Sequence, residues 1–140
     1  MKRKNIDILE HIAAYCEDIE ATIKRFGKDE QIFNSDKDYR NSICMSLLQI
    51  GELTGHLTDD FREKTKDTVY WPAIKGMRNL FAHNYNATDI KRVWNTALQD
   101  VPQLHEFCNK TIQLFNLVEQ EIQEPEEMDI DKEISHSIKM

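Results

Sequence analysis

Four side chains that could act on a phosphodiester stand close together in the chain, at Arg78, Asn79, His83 and Tyr85. The guanidinium of Arg78 is a permanent cation whose planar set of N–H donors fits phosphate oxygens. Histidine is the residue whose ordinary pKa lies nearest to physiological pH, so His83 could take up and return a proton during a reaction. These groups are enough to handle a phosphodiester without a metal ion, provided that the side chains converge.

Helical spacing alone does not bring Arg78 and His83 together. They are five positions apart, which on an ideal helix, at about 100° per residue, separates them by roughly 140° around the axis. Two arrangements remain open. The turn-forming residues 84–89 could end the helix at or just after His83 and free its side chain to swing, or a two-fold partner could place a second copy of the motif opposite the first. We prefer the two-fold arrangement as a hypothesis.

Length and composition are typical of one helical domain. The 140 residues are 40% hydrophobic and 31% charged, with only four glycines and three prolines. This composition favours an all-α fold over a β-rich or low-complexity chain. No apolar run approaches the roughly 20 residues that span a bilayer, and the basic residues at 2–4 lead into an amphipathic segment instead of a signal peptide. We therefore expect a cytoplasmic protein with no membrane association.

Neither a metal site nor a cofactor site is predicted. The sequence has no glycine-rich phosphate loop and no cluster of residues at metal-ligand spacing. Cys16, Cys44 and Cys108 are odd in number, widely spaced and set in apolar helical patterns. We expect them to be buried free thiols, and not disulfides or metal ligands.

The net charge of −7 is unevenly distributed along the chain. Residues 119–140 hold eight acids and two bases, so the preceding residues together carry only −1. Within residues 61–92, seven bases stand against three acids. This local excess of positive charge around the motif could attract RNA phosphates, although such runs are more often the solvated faces of helices.

Apolar residues recur at spacings of three and four over most of the chain, which predicts four or five helices. Gly27 ends the first helix, Ser35 or Asp36 caps the second, and Pro72 suits the first turn of the third. Near Pro102 the fourth helix is expected either to kink or to give way to a fifth. The predicted helices cover approximately residues 6–26, 36–57, 71–83, 89–98 and 104–122, with irregular connections at 28–35 and 59–68.

The sequence divides into a helical domain over residues 1–122 and an acidic tail over residues 123–140. The tail contains Pro125, most of the acids and only sparse apolar residues. We expect it to be flexible or to fold on a partner.

The motif and its flanking blocks resemble the HepT-like family of HEPN domains. In the signature of that family an arginine, a polar residue, a short spacer and a histidine are followed two residues later by a tyrosine. Further blocks extend the resemblance over most of residues 5–120, and their order makes it specific. They are Phe33, Ile50-Gly51-Glu52, Trp71, Ile74, Gly76, Met77, Leu80, Ala82, Val93-Trp94 and Asp100-Val101-Pro102-Gln103-Leu104.

The resemblance implies an antiparallel, up-and-down bundle of four to five helices that dimerises, with two motif copies facing a shared cleft. It also implies the toxin of a toxin–antitoxin pair, with a cofactor-free, metal-independent endoribonuclease activity. His83 would be the general acid or base for attack of a ribose 2′-hydroxyl on the adjacent phosphate, and Arg78 would stabilise the transition state. Asn79 would orient the phosphate or His83.

In the same family, Tyr85 is the position that a minimal nucleotidyltransferase antitoxin modifies with AMP. Phosphates added beside Arg78 would fill the cleft with competing anions and silence it. The alternative function is a non-catalytic HEPN partner that binds a nucleotidyltransferase or a nucleotide. Glu52 is a supporting candidate with two open roles, since it could pair with Arg78 or another cation, or satisfy a buried polar contact.

Overall fold

The computed structural model describes residues 2–80 and 87–121, of which Leu80, Ala87 and Thr88 are described by their backbone alone. All regular structure in these residues is helical, so the predicted all-α class is confirmed. His83, Tyr85 and the predicted tail at 123–140 lie outside the described residues, and the dimer stays a prediction. In chain order the elements are α1 (Arg3–Phe26), α2 (Glu30–Ser35), α3 (Lys37–Thr54), α4 (Asp59–Thr65), α5 (Trp71–Lys75), a 3₁₀ turn (Gly76–Leu80), α6 (Ala87–Asn95), a π turn (Thr96–Asp100) and α7 (Val101–Glu121).

Helix α1 packs against both α3 and α7. Its buried stripe follows the spacing of three and four residues that the sequence shows. Burying one such aliphatic side chain stabilises the fold by about 1.5–3 kcal/mol. The members of the stripe with no exposed surface are Ile6, Leu9, Ile12, Cys16 and Ile19.

Polar contacts at both ends of α1 show that α3 runs antiparallel to it. Near the start of α1, the amide of Asn5 donates to Oγ1 of Thr58 at 3.0 Å and accepts from the backbone N–H of Thr58 at 3.1 Å. Near its end, the hydroxyls of Thr22 and Ser42 are 3.3 Å apart. The connection after α3 is therefore fixed to the beginning of α1.

Helix α7 is antiparallel to α1 as well. Nη1 of Arg3 lies 3.3 Å from Oε2 of Glu119, near the end of α7. Towards the start of α7, Nδ1 of His105 lies 2.8 Å from Oε1 of Glu20. These contacts agree with the predicted antiparallel packing.

Side chains at the helix starts satisfy backbone N–H groups that have no partner within the helix. Asp36 accepts from the N–H of Tyr39 at 3.1 Å, as the predicted cap of α3, and Thr58 accepts from Phe61 at the start of α4. Gly27 follows α1 with a φ of 110°, in the region where a side chain is strained. The predicted stop of the first helix at Gly27 is confirmed.

The segments α6, π turn and α7 form one helical path from residue 87 to 121. Asn95 and Val101, on either side of the π turn, both have right-handed helical backbone angles, and the N–H of Val101 donates to the carbonyl of Thr96 five residues earlier. A proline ring at position 102 would clash with the carbonyl four residues before it in a regular α-helix, and a wider turn relieves that crowding. The sequence left a kink or a new helix open here, and the structure has a local widening.

Two connections and one helix differ from the sequence-based expectation. The stretches 28–35 and 59–68, expected to be irregular, contain the short helices α2 and α4. The third helix, expected to end at or just after His83, is α-helical only over Trp71–Lys75 and continues as the tighter 3₁₀ turn over Gly76–Leu80. The angle of roughly 140° between Arg78 and His83 assumed an ideal α-helix, whereas the described part of this stretch, up to Leu80, is a 3₁₀ turn. In residues 2–80 and 87–121 no helix is long and apolar enough to cross a membrane.

Candidate active site

Arg78 lies on the 3₁₀ turn, whose backbone is in close contact with α3 at Gly51. A Cβ added to Gly51 would stand 2.7 Å from the backbone nitrogen of Arg78, 3.1 Å from its Cβ and 3.1 Å from the carbonyl oxygen of Lys75. Cβ contacts under 3.0 Å essentially never occur. Glycine at position 51 is therefore what allows the turn to approach the helix this closely.

The next residue of α3, Glu52, pairs with Arg78. Oε1 of Glu52 lies 3.3 Å from Nη1 of Arg78, and the two side chains are 49% and 48% exposed. An ion pair this exposed contributes at most about 1 kcal/mol to stability. The contact directs the guanidinium towards α3, and the side chain of Arg78 remains accessible from solvent. Of the two roles that the sequence left open for Glu52, the structure has the pair with Arg78.

Asn79 lines a groove of about 1020 Å³ between the 68–79 segment and the α6–α7 helix. The opposite wall includes Arg92, Gln99 and Gln103. Arg78 precedes Asn79 in the chain but is not among the residues that line the groove. Tyr70, also in the lining, is 72% exposed.

The structure thus brings Glu52, Arg78 and Asn79 into one region. His83 and Tyr85 lie outside the described residues, so their convergence with Arg78 stays a prediction. Among residues 2–80 and 87–121, no three His, Cys, Asp or Glu side chains are grouped so that they could hold a metal ion.

Ion pairing reduces the basic excess expected around the motif. On α4, Arg62 pairs with Asp59, and Lys64 lies 3.4 Å from Asp60. Both acids stand just outside the window of residues 61–92 in which the bases were counted. Lys91 on α6 is likewise 3.3 Å from Glu30 on α2. Formal counting of charges therefore overstated the positive field near Arg78.

All three cysteines are free thiols and buried, as predicted. Burial, with a smaller effect from the carboxylates of Glu20 and Glu17, raises the pKa of Cys16 to about 12. Burial also raises the pKa of Cys108. These thiols stay protonated near neutral pH, so they are unsuited to act as nucleophiles.

Sequence reasoning missed two features of this region. The function of Gly51 as a contact point was not visible, because a glycine inside a helix gives no sign of what lies against it. The groove wall was also missed, although polar residues at 92, 96, 99, 103, 106 and 110 recur at spacings of three and four. Such a polar stripe marks one face of a helix, in the same way as the apolar stripe of α1 marks the face that packs in the core.

Comparison with known proteins assigns the chain to a family. Residues 12–111 match the family described as "Ribonuclease HepT-like". The chain therefore belongs to the HepT-like ribonuclease family, as its motif indicated. No solved structure has a significant match to it.

Two relatives illustrate the similarity. The chain is 31% identical over 105 residues to the protein named "Putative RNase TTE0752" of Caldanaerobacter subterraneus subsp. tengcongensis, which covers 75% of this chain and 91% of the relative. It is 30% identical over 104 residues to the "Probable ribonuclease HepT" of Thermococcus cleftensis, which covers 74% of this chain and 92% of the relative. Both alignments span nearly the whole relative.

Proposed function

We propose that this chain is a metal-independent endoribonuclease and the cytoplasmic toxin of a toxin–antitoxin pair. The observation that carries the proposal is the placement of Arg78, which is half-exposed, paired with Glu52 and followed in the chain by Asn79, which lines the groove. A guanidinium held in this way can receive a phosphate from solvent without moving its backbone. Membership of the HepT-like ribonuclease family supports RNA as the substrate.

In the proposed reaction, His83 takes the proton from a ribose 2′-hydroxyl, and the resulting oxygen attacks the adjacent phosphorus. The bond from phosphorus to the 5′-oxygen of the next nucleotide breaks, and that oxygen receives a proton. Arg78 stabilises the additional negative charge on the phosphorus oxygens in the transition state, while Asn79 orients the phosphate. The products are a 2′,3′-cyclic phosphate and a 5′-hydroxyl, so DNA is not a substrate.

A homodimer through the exposed face of α3 would bring two copies of this site together. Met45 is 49% exposed, and it lies seven residues before Glu52, two helical turns away on nearly the same face. Leu48, between them, is partly exposed. An isologous contact centred on this face would place both Arg78 side chains at its edge.

Regulation is proposed to act through Tyr85 and a minimal nucleotidyltransferase antitoxin. Transfer of AMP to the phenol would place a phosphodiester anion two residues from His83 and seven from Arg78 in the chain. Such an anion would compete with the RNA phosphate for the guanidinium.

The decisive experiment incubates purified protein with mixed RNA in excess EDTA. Its mass must first show that Tyr85 carries no AMP. His83→Ala is compared with His11→Ala, which removes an exposed histidine of α1. We expect wild type and His11→Ala to cut RNA and to leave cyclic phosphate ends, and we expect no cleavage by His83→Ala. DNA of the same sequence should stay uncut.

Equal cleavage by His83→Ala would refute the mechanism. Absence of cleavage by the unmodified wild type would favour the non-catalytic alternative, in which Arg78 holds a phosphate for a nucleotidyltransferase. Binding of that partner by wild type and His83→Ala would then be the test of the alternative.

A further inference from the structure

The wall of the groove formed by the α6–α7 helix carries a row of polar residues, with Leu104 and Phe107 also in the lining. Along it, Arg92, Thr96, Gln99, Gln103 and Lys110 line the groove. Because the helix continues through the π turn, this row extends from residue 92 to residue 110, which are 18 positions apart, or roughly 27 Å at about 1.5 Å per residue. It is long enough to contact several consecutive nucleotides.

The charge of the lining argues against a groove that follows a phosphate backbone. Grooves for single strands are usually strongly basic. Here the charged residues in the lining are two bases and three acids, a balance of −1 for the described part of the chain. Phosphates would gain little electrostatic attraction inside this groove, whereas Arg78, which lies outside the lining, offers them a half-exposed cation. The charged residues are Arg92, Lys110, Asp89, Asp100 and Glu106.

Primary amides are the distinctive polar groups of the lining. Asn95, Gln99 and Gln103 stand on the wall formed by the α6–α7 helix, and Asn79, to which the proposed reaction gives the phosphate, stands on the other. Each amide presents one acceptor and two donors, and this pairing matches the edge of a base, above all the N6 and N7 positions of adenine. Tyr70, 72% exposed, adds a ring on which a base can stack.

The π turn places part of this amide set. It covers Thr96–Asp100, so Gln99 lies within the wide turn and Gln103 follows Pro102. π turns in helices occur frequently at functional sites. Here the turn rotates Gln99 relative to a regular α-helix while keeping it on the groove face.

We infer that this groove binds unstacked bases of single-stranded RNA next to the scissile phosphate, and that its amides give a preference for adenine. The inference rests on the proposed function for its biological meaning, because Arg78 would hold the phosphate whose neighbouring bases enter the groove. Base binding itself does not require cleavage and can be measured separately.

The first measurement uses 2′-O-methyl oligonucleotides, which lack the attacking hydroxyl and cannot be cut. Affinities of wild type for oligoadenylate and oligocytidylate are compared by fluorescence anisotropy. The groove variant combines Asn95→Ala with Gln99→Ala. The matched control combines Asn109→Ala with Gln113→Ala, two exposed amides of the same helix that do not line the groove.

We expect wild type and the control to favour oligoadenylate by roughly 5- to 100-fold, as bidentate amide–adenine contacts allow, and the groove variant to lose most of this ratio. Equal affinity of wild type for both oligonucleotides, or an unchanged ratio in the groove variant, would overturn the inference. A groove variant that keeps its base preference but no longer binds a protein partner would also overturn the inference, because the groove would then be a protein-binding site.

The second measurement sequences the ends produced from a random RNA pool. Wild type and the control should cut beside adenine, and the groove variant should cut less selectively. A wild type that binds oligoadenylate selectively but cuts no RNA would refute the proposed function and leave the base site intact. A wild type that cuts RNA without any base preference at its sites would support the proposed function and refute the base site.

Discussion

At the residue scale, Arg78 depends on two consecutive residues of α3. Gly51 leaves the space in which the backbone of Arg78 lies, and Glu52 pairs with its guanidinium at 3.3 Å. One helix turn therefore sets both the position of the arginine backbone and the direction of its side chain. Because Glu52 contacts only the side chain, its contribution can be measured in a variant that keeps Arg78 itself.

Glu52→Gln should lower kcat for RNA cleavage by about tenfold, a modest part of the loss expected when an oriented transition-state donor is removed. The free energy of unfolding should change by less than about 1 kcal/mol, because the ion pair is exposed. Glu30→Gln is the matched control, since Glu30 also lies 3.3 Å from its cation, Lys91. Steady-state kinetics and urea unfolding of both variants provide the test.

A rise in activity for Glu52→Gln would contradict this prediction. It would mean that the carboxylate acts chiefly as an anion competing with phosphate for Arg78. An equal loss of activity in Glu30→Gln would mean that the effect is not specific to the site.

The Cys16 thiol should make stability fall at alkaline pH. Its pKa is about 12 in the folded chain against an ordinary 9.0, so between these values the unfolded chain has lost a proton that the native chain keeps. Stability therefore decreases as pH rises through this window, by up to about 1.4 kcal/mol per pH unit. Well below pH 9 the thiol is protonated in both states and contributes almost no pH dependence.

Urea unfolding of wild type and Cys16→Ala at pH 8 and pH 10, in a reducing buffer, tests this effect. The variant is less stable at both pH values because it has a cavity, but its loss of stability between them should be smaller by roughly 1 kcal/mol. Identical losses in the two proteins would show that Cys16 titrates normally in the fold.

At the element scale, the contact between α3 and the 3₁₀ turn separates two glycines that look alike in the sequence. A Cβ at Gly51 would meet the backbone of the turn at 2.7 Å, while a Cβ at Gly76 would meet nothing within 4 Å. An alanine normally stabilises a helical position by up to about 1 kcal/mol relative to glycine. Overpacking a close contact costs about 1–3 kcal/mol.

We therefore expect Gly51→Ala to lower the free energy of unfolding by roughly 1–3 kcal/mol and to reduce RNA cleavage, because the turn that carries Arg78 must move. Gly76→Ala should leave stability unchanged or slightly raised. Chemical denaturation and cleavage rates of the two variants measure this difference. Equal stability of the two would mean that the turn can shift freely away from α3.

The elements also show how far sequence reasoning extends. The stop at Gly27, the cap at Asp36 and the apolar stripe of α1 were predictable, because each depends on local backbone chemistry or on helical periodicity. The 3₁₀ turn was not, since its conformation depends on tertiary contact with Gly51, which lies far away in the chain. The partner of Glu52 was left open for the same reason: both Lys and Arg side chains can reach across a helix surface, and only the fold decides between them.

At the scale of the whole molecule, the proposed dimer distinguishes between two equally exposed apolar residues. Met45 on α3 and Leu117 on α7 are both 49% exposed. Only Met45 shares the face of Glu52. Met45→Glu should weaken self-association at least about tenfold, because each interface would bury two uncompensated charges, and should reduce cleavage with it.

Leu117→Glu introduces the same charge at the same exposure and should leave the dimer intact. Sedimentation equilibrium across a range of concentrations tests both variants. A monomeric wild type, or a dimer disrupted by Leu117→Glu instead, would place the interface elsewhere.

The close contact at Gly51 also has a genetic meaning. Any change at the third base of a glycine codon is silent, whereas each amino acid reached by changing the first or second base brings a Cβ. At position 51 that atom meets the backbone of Arg78, and at position 76 it meets open space. In a population selected for an active chain, the codon for Gly51 should therefore retain only synonymous variants, while the codon for Gly76 should also accumulate alanine.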